Sequence, residues 1–368
     1  MEQQYDDGYW AFAADALLQR LDAMDLEADG VRKGEDIEYV HRMRVASRRL
    51  RSAISIFDAC LVSGGLNGFK KPVRRITREL GAARDIDVQL EALEEFMQSD
   101  PDPAHIPGLE RLALRLRQQR EHLQASVVAA IDRLQGSTVW LDMQRPLREI
   151  GVRAQLRGIK ADSVILRGNA IGAIAVDLEG LLSHETYIEQ PSKIEELHQM
   201  RIAAKKLRYT IEVFAPLFDK NLNEGLAVAK EAQKILGEIH DCDVWIQMLP
   251  AFHEQERERT QSYFGHLRHF NRLAGGIEHM RAEKIRERAA HYEEFVAFWR
   301  ETRAQGTWEK FHQTLYLPQL RVARSNAAWS GVLAALAEAP ASASGAGTRA
   351  GTESPESAAT LGTQLGGT

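Results

Sequence analysis

Apolar residues recur at steps of three and four along most of the chain, and that 3.6-residue period predicts helices. It holds over Asp36–Leu61, Pro72–Ala83, Asp85–Met97, Leu109–Leu134, Ile194–Phe218 and Asp241–Phe252. Strictly alternating segments, the mark of half-buried strands, do not stand out. Turn chemistry predicts breaks at Ser63-Gly64-Gly65, Pro101–Pro107, Gly136-Ser137, Pro191 and Gly275-Gly276. The pattern therefore predicts an all-α fold built from antiparallel helical bundles. From about Ala339 the residues become mostly Ala, Gly, Ser and Thr. Such a segment buries too little apolar surface to offset the entropy of ordering, so 336–368 is expected to be a disordered tail.

Two stretches occur twice. His41–Arg51 (HRMRVASRRLR) and His198–Arg208 (HQMRIAAKKLR) share six of eleven residues at an offset of 157. Arg78–Val88 (RELGAARDIDV) and Lys234–Val244 (KILGEIHDCDV) share five of eleven at an offset of 156. Trp140 and Trp308 form a weaker third pair. Two matches at nearly one offset predict an internal duplication. We expect two pseudo-symmetric bundles of four or more helices each, over 1–160 and 161–335, with the repeated core of each at roughly 9–160 and 165–320.

The repeats also carry charge. On a helix of 100° per residue, His41, Arg44, Arg48 and Arg51 fall on one narrow face. Met43, Ala46, Leu50, Ala53, Ile54 and Phe57 fall opposite. His198, Arg201, Lys205 and Arg208 repeat the stripe, with Met200, Ala203, Leu207 and Ile211 behind it. Lys71, Arg74, Arg75 and Arg78 share a face of the next helix. The second half keeps Lys230 and Lys234 there but has Ala227 at the place of Lys71 and Glu231 at that of Arg75. No acid interrupts either His–Arg stripe, although like charges one turn apart repel. A linear polyanion would neutralise such a face, with guanidinium forks gripping its oxygens. Histidines charging near neutral pH would strengthen binding on acidification.

The overall charge of −5 conceals this segregation. Between His41 and Arg84 eleven Lys and Arg face two acids, and between His198 and Lys234 seven face four. Two cysteines, Cys60 and Cys242, exclude a disulfide framework and suggest a reducing, cytoplasmic setting. Met1–Trp10 lacks the pattern of a secretory signal, and no apolar run approaches the roughly 20 residues of a membrane span.

Other chemistry is less well supported. His240-Asp241 resembles the dyad of helical metal phosphohydrolases, but the matching place in the first half is Arg84-Asp85, and Arg is not a metal ligand. Asp85 and Asp241 are expected to cap following helices, with Asp87 and Asp243 held by the positive helix end. The cysteines read as buried fillers and the tryptophans as core. No nucleotide-binding glycine motif is present. No catalytic residue, metal ligand or cofactor is expected. Nucleic-acid binding is the main rival, yet the stripes lack interleaved Asn, Gln or aromatic residues to read or stack bases. A scaffold for acidic proteins is a further alternative.

The doubled H-x-x-R-V/I-x-x-R/K-R/K-L-R, each copy followed by L-G-x-x-x-D-x-D-V, resembles the CHAD family, the conserved-histidine α-helical domain. The resemblance spans about 9–320. It implies two helical bundles with basic helices lining a groove or pore, and non-catalytic binding of inorganic polyphosphate, in some members at polyphosphate granules. By matching position it assigns His41, Arg44, Arg48, Arg49 and Arg51, and His198, Arg201, Lys205, Lys206 and Arg208. Lys71, Arg74, Arg75, Arg78, Lys230 and Lys234 extend the set. The triphosphatase domain fused to some relatives has an E-x-E-x-K strand. Here Glu254–Glu258 lies in helical sequence, so a stand-alone binding module is expected.

Overall fold

A computed structural model of the chain describes residues 5–325, apart from 35, 64, 65, 67, 100, 101 and 219–221. The expected tail at 336–368 lies outside the described residues, as do Gly64 and Gly65. Met1–Leu317 forms one compact unit; of a second, Pro318–Thr368, only the end of a helix at Ser325 is described.

The described residues are helical and include no strand. In chain order the helices are α1 (Asp7–Asp25), α2 (Ala28–Lys33), α3 (Ile37–Ile56), α4 (Asp58–Ser63), α5 (Lys70–Ser99), α6 (Ile106–Gln135), α7 (Val139–Leu156), α8 (Val164–Leu182), α9 (Ile194–Phe214), α10 (Asn223–Phe264), α11 (Asn271–Ala304) and α12 (Thr307–Ser325). The long ones come in the same order twice: α1, α3, α5, α6, α7, then α8, α9, α10, α11, α12. The packing follows suit. In the first series α3 lies on α1 and α5, and α5 on α6; in the second α9 lies on α8 and α10, and α10 on α11. Contacts of α3 with α9 and of α6 with α11 join the series.

Caps fix the starts. Asp6, Asp36 and Ser163 accept hydrogen bonds from the backbone N–H groups of Tyr9 (2.8 Å), Glu38 (2.8 Å) and Leu166 (3.0 Å). Each cap satisfies a donor that the first helical turn leaves unpaired. Gly265, at φ 72°, ends α10 in the left-handed conformation that glycine adopts without strain.

One buried core draws on both halves of the sequence, from Leu17, Leu50 and Leu80 to Leu207, Ile235 and Phe295. At its centre Phe214 stacks on Phe12 (ring centroids 5.8 Å apart) and meets Phe57 edge-on (5.9 Å). Phe57 and Phe214 differ by the repeat offset, so like positions at the C-terminal ends of α3 and α9 touch. A second cluster, including Leu93, Leu112, Leu116, Trp245, Leu249 and Met280, holds α5, α6, α10 and α11 together. Burying each such side chain contributes about 1.5–3 kcal/mol before the entropy of ordering is set against it. Trp140, Trp245, Trp299 and Trp308 are all buried. So are both thiols, and burial pushes Cys60 up to about 12 and Cys242 to about 11, which keeps them protonated.

Two sequence expectations fail. Helix α5 runs unbroken through Ala83–Asp85 and α10 through His240–Asp241, so these aspartates lie mid-helix and cap nothing. Gly275-Gly276 is no break, since α11 continues through it. A Cβ on Gly276 would lie 2.1 Å from the His105 carbonyl oxygen, and one on Gly108 would lie 2.2 Å from that of Leu273. Glycine here permits backbone contact between α6 and α11. Turn propensity gave way to helix packing.

Candidate functional site

Helix α3 buries Val40, Met43, Ala46, Leu50, Ala53 and Ile54, which turns His41, Arg44, Arg48 and Arg51 outward. Helix α9 buries Leu197, Met200, Ala204, Leu207 and Ile211 and does the same for His198, Arg201, Lys205 and Arg208. Ala204, rather than the expected Ala203, is the fully buried alanine.

Because α3 packs on α9, the two stripes become one cluster. The Arg48 guanidinium lies 5.8 Å from the centre of the Tyr209 ring, and that of Arg208 lies 5.7 Å from it. Burial, followed by repulsion from Arg48, Arg201, Arg44 and Arg51, depresses the Lys205 ammonium to about 7. Arg44 and Arg201 are likewise lowered, burial being the first cause in each. Arg48 repels Arg44 and Arg201 alike, so each stripe feels the other's charges.

The sixteen predicted side chains then separate. Arg44 pairs with Asp85 of α5 at 2.8 Å. Arg208 pairs with Glu212 at 2.8 Å, and Arg49 approaches the same carboxylate at 3.9 Å. Lys206 turns to Asp177 of α8 at 2.8 Å, Arg78 to Glu79 at 2.9 Å and Lys234 to Glu231 at 3.2 Å. Among the described residues His41, Arg48, Arg51, Lys71, Arg74, Arg75, Arg201, Lys205 and Lys230 make no ion pair. His41 Nδ1, Arg48 Nε and Arg201 Nε are buried and accept or donate no hydrogen bond within the protein. Buried polar atoms are rarely left so, and it is the outer nitrogens of the same guanidinium groups, which are not buried, that an external acceptor can reach. Lys71, Arg74, Arg75 and Arg78 are exposed along the first turns of α5.

The histidines behave differently from expectation. His198 and His240 place their Nδ1 atoms 3.0 Å apart, so one ring must donate and the other accept. Burial and the Arg201 charge lower both, His240 to about 4. The pair is neutral at neutral pH and lends no charge there.

The aspartates of the second repeat were missed as site residues. Asp85 supplies a counter-charge that the stripe from His41 to Arg51 itself lacks. Asp241, at the same register in α10, lies near Arg201 and Asp85; desolvation raises its carboxyl, Arg201 opposes that, and Asp85 adds to it. So the stripe is partly neutralised from within. The second aspartates have another task. Asp87 is buried against Arg120 of α6 at 2.7 Å, and Asp243 against Arg288 of α11 at 2.5 Å. In D-x-D the first carboxylate faces the cations and the second pins the neighbouring helix. The signal was present in the doubled motif, but an unbroken helix was needed to read it.

The metal dyad does not assemble, since His240 faces His198 while Asp241 faces Arg201. Among the described residues Glu238, His291 and Glu294 come within coordinating reach of one another elsewhere, on α10 and α11, where the histidine already contacts both carboxylates. Among the described residues no helix is long and apolar enough to cross a membrane.

The fold and the site define an all-α helical protein in which two repeated helices bring their cationic faces together. Residues 15–250 match the CHAD domain, and the chain belongs to that family. Among solved structures it resembles the CHAD domain from the plant Ricinus communis, with a TM-score of 0.57 at 22% identity, over 79% of this chain and 91% of that one. It also resembles PptA from Streptomyces chartreusis, with a TM-score of 0.50 at 14% identity, over 80% and 97%. At these identities the likeness extends to the fold. No curated protein matches the sequence.

Proposed function

We propose that this protein binds inorganic polyphosphate, without catalysing its turnover, along the cationic face where α3 and α9 meet. The observation that carries the reading is the merged cluster itself. Among the described residues Arg48 and Arg201 hold buried Nε atoms with no partner, beside Lys205 and Arg51, which have no counter-ion there. A phosphate chain offers closely spaced oxygens to all of them, and guanidinium groups bind such oxygens through charge-assisted hydrogen bonds. The exposed Lys71, Arg74 and Arg75 of α5 extend the track, and Lys230 of α10 continues it on the second side. First-half residues predominate, so the track is lopsided.

Family membership supports a phosphate polymer over other polyanions, and so does the scarcity of base-reading groups. Tyr209, the aromatic ring at the cluster, is buried and covered by Arg48 and Arg208, leaving it unsuited to stacking on a base. The repeated helix order and the contact of Phe57 with Phe214 support two halves related by a pseudo-two-fold axis, with the track between them. Binding to polyphosphate granules in the cytoplasm would follow from this activity. The test is competition: labelled long-chain polyphosphate is titrated with protein, then challenged with unlabelled polyphosphate, DNA, RNA and an acidic polypeptide. Displacement by polyphosphate alone is expected. Displacement by nucleic acid at equal or lower concentration identifies a nucleic-acid-binding protein instead.

A further inference from the structure

Arg48 and Lys205 occupy the same place in the two repeats. Along the paired stripes this is the one position where an arginine in the first half faces a lysine in the second; the others are His41 and His198, Arg44 and Arg201, Arg51 and Arg208. It is also where α3 reaches α9: the Arg48 guanidinium lies 5.8 Å from the centre of the Tyr209 ring, one turn after Lys205 on α9. A guanidinium stays charged at any pH a protein survives. An ammonium can lose its proton, and its solvation is lost most readily on burial. In a crowd of fixed cations the lysine is therefore the group that relieves repulsion.

We infer that Lys205 sits as a neutral amine in a fraction of the free protein and takes up a proton when the polyanion binds, so that binding at this site is proton-coupled. The inference rests on the polyphosphate reading and adds how the site is regulated.

The surroundings of Lys205 are these. From α3 it faces Arg44, Arg48 and Arg51, and from its own helix Arg201, all of which disfavour its charge. His198 of α9 lies close enough to interact with it and is itself lowered. Helix α10 brings His240 and Asp241, and α5 brings Asp85, but these act on Arg201 and Arg44: Asp85 pairs with Arg44, and Asp241 interacts with Arg201. No carboxylate is within ion-pair distance of Lys205 among the described residues. Lys206, the next residue, shows the contrast, because its ammonium is exposed and paired with Asp177.

The sign follows. An ammonium depressed to about 7 in the free protein is partly deprotonated above neutrality. Phosphate oxygens favour its charged form and raise it, so the complex holds more protons than the free protein. At pH 7.5 the uptake is about 0.8 proton, and between pH 6 and pH 9 the affinity falls roughly 50- to 100-fold if the bound amine titrates near its ordinary value. Long chains make the test clean, because their interior phosphates do not titrate in this range.

The experiment is calorimetric titration of the full chain with long-chain polyphosphate at pH 7.5, in buffers of different ionisation enthalpy. Net proton uptake is expected for the wild type and for the remote control Lys284→Arg, whose lysine pairs with Glu287. Lys205→Arg carries a charge that cannot titrate. It should lose the uptake, flatten the pH dependence and bind more tightly than wild type at pH 9. In parallel, the 13Cε resonance of Lys205 in the unliganded protein, assigned by its absence from Lys205→Arg, should titrate near neutral pH. Uptake that persists in Lys205→Arg would place the proton on His198 or His240 and overturn the inference. A Lys205 titration near pH 10 would also overturn it. Binding without uptake in the wild type removes the coupling alone, whereas absence of any binding removes the polyphosphate reading together with it.

Discussion

Replacing Arg48 and Arg201 together by Gln separates binding from folding. Both side chains hold a buried Nε without a partner and make no ion pair, so the fold gains little from their charge. Repulsion within the cluster means that removing two charges should leave the melting temperature unchanged or raise it by one or two degrees. Binding should respond in the opposite direction. Among the described residues eight Lys and Arg of the predicted set have no counter-ion: Arg48, Arg51, Lys71, Arg74, Arg75, Arg201, Lys205 and Lys230. If each neutralises one phosphate of a flexible chain, log affinity against log salt has a slope of roughly −5 to −6, by analogy with single-stranded nucleic acid. The double substitution should make it shallower by about 1.4. Losing two charge-assisted contacts, at about 1.5–3 kcal/mol each, lowers affinity by at least 100-fold. Fluorescence anisotropy with labelled polyphosphate from 50 to 400 mM salt reads both quantities, and differential scanning fluorimetry reads stability. A fall in melting temperature of 10 degrees with an unchanged salt slope would mean these arginines are structural and would refute the reasoning.

Four further outcomes test particular contacts. Asp87→Ala leaves the half-buried Arg120 without its carboxylate, with only Gln124 still accepting from it at 2.9 Å, and should lose about 3 kcal/mol in urea unfolding, whereas Asp85→Ala, whose carboxylate is 66% exposed, should lose less than about 1 kcal/mol. Asp85→Asn also frees Arg44, so it should tighten polyphosphate binding severalfold in the same anisotropy assay. His240 is depressed to about 4, so the folded state resists a proton that the unfolded state accepts. Its part of the stability is complete above about pH 6.5 and declines toward pH 4, and melting curves of His240→Gln should fall less steeply over that window than those of wild type. By the same logic Lys205→Met should raise the melting temperature of the free protein most at pH 6 and progressively less toward pH 10, while weakening binding at pH 6.

The helical class, the helix faces and the two stripes were legible because each depends on local periodicity. Met43, Leu50, Met200 and Leu207 mark a buried face wherever the helix sits, and the arginines between them must then point away. What the sequence could not supply was the partner of each cation. Arg44 finds Asp85 across 41 residues and Lys206 finds Asp177 across 29, and nothing local distinguishes them from Arg48 or Lys205. The repeat offset implied that α3 and α9 correspond but not that they touch. The glycines misled for a related reason: Gly276 is a turn signal by propensity, yet its role is set by the start of α6, 171 residues earlier at His105.

The division of labour within D-x-D suggests why the cluster can remain so poorly neutralised. Asp87 and Asp243 are buried with Arg120 and Arg288 and hold α6 and α11 in place, at a distance in sequence from the stripes they support. Alternate residues of one helix thus serve opposite ends: one carboxylate anchors the neighbouring helix, and the other, a turn face away, only partly offsets the cations. A stripe that were fully paired would be more stable and would have nothing left to offer a phosphate. The helices are instead held by apolar contacts such as Phe12, Phe57 and Phe214, whose strength does not depend on pH or salt in the way the cluster's does. Ligand and salt can therefore act on the cationic face while the fold that presents it stays fixed.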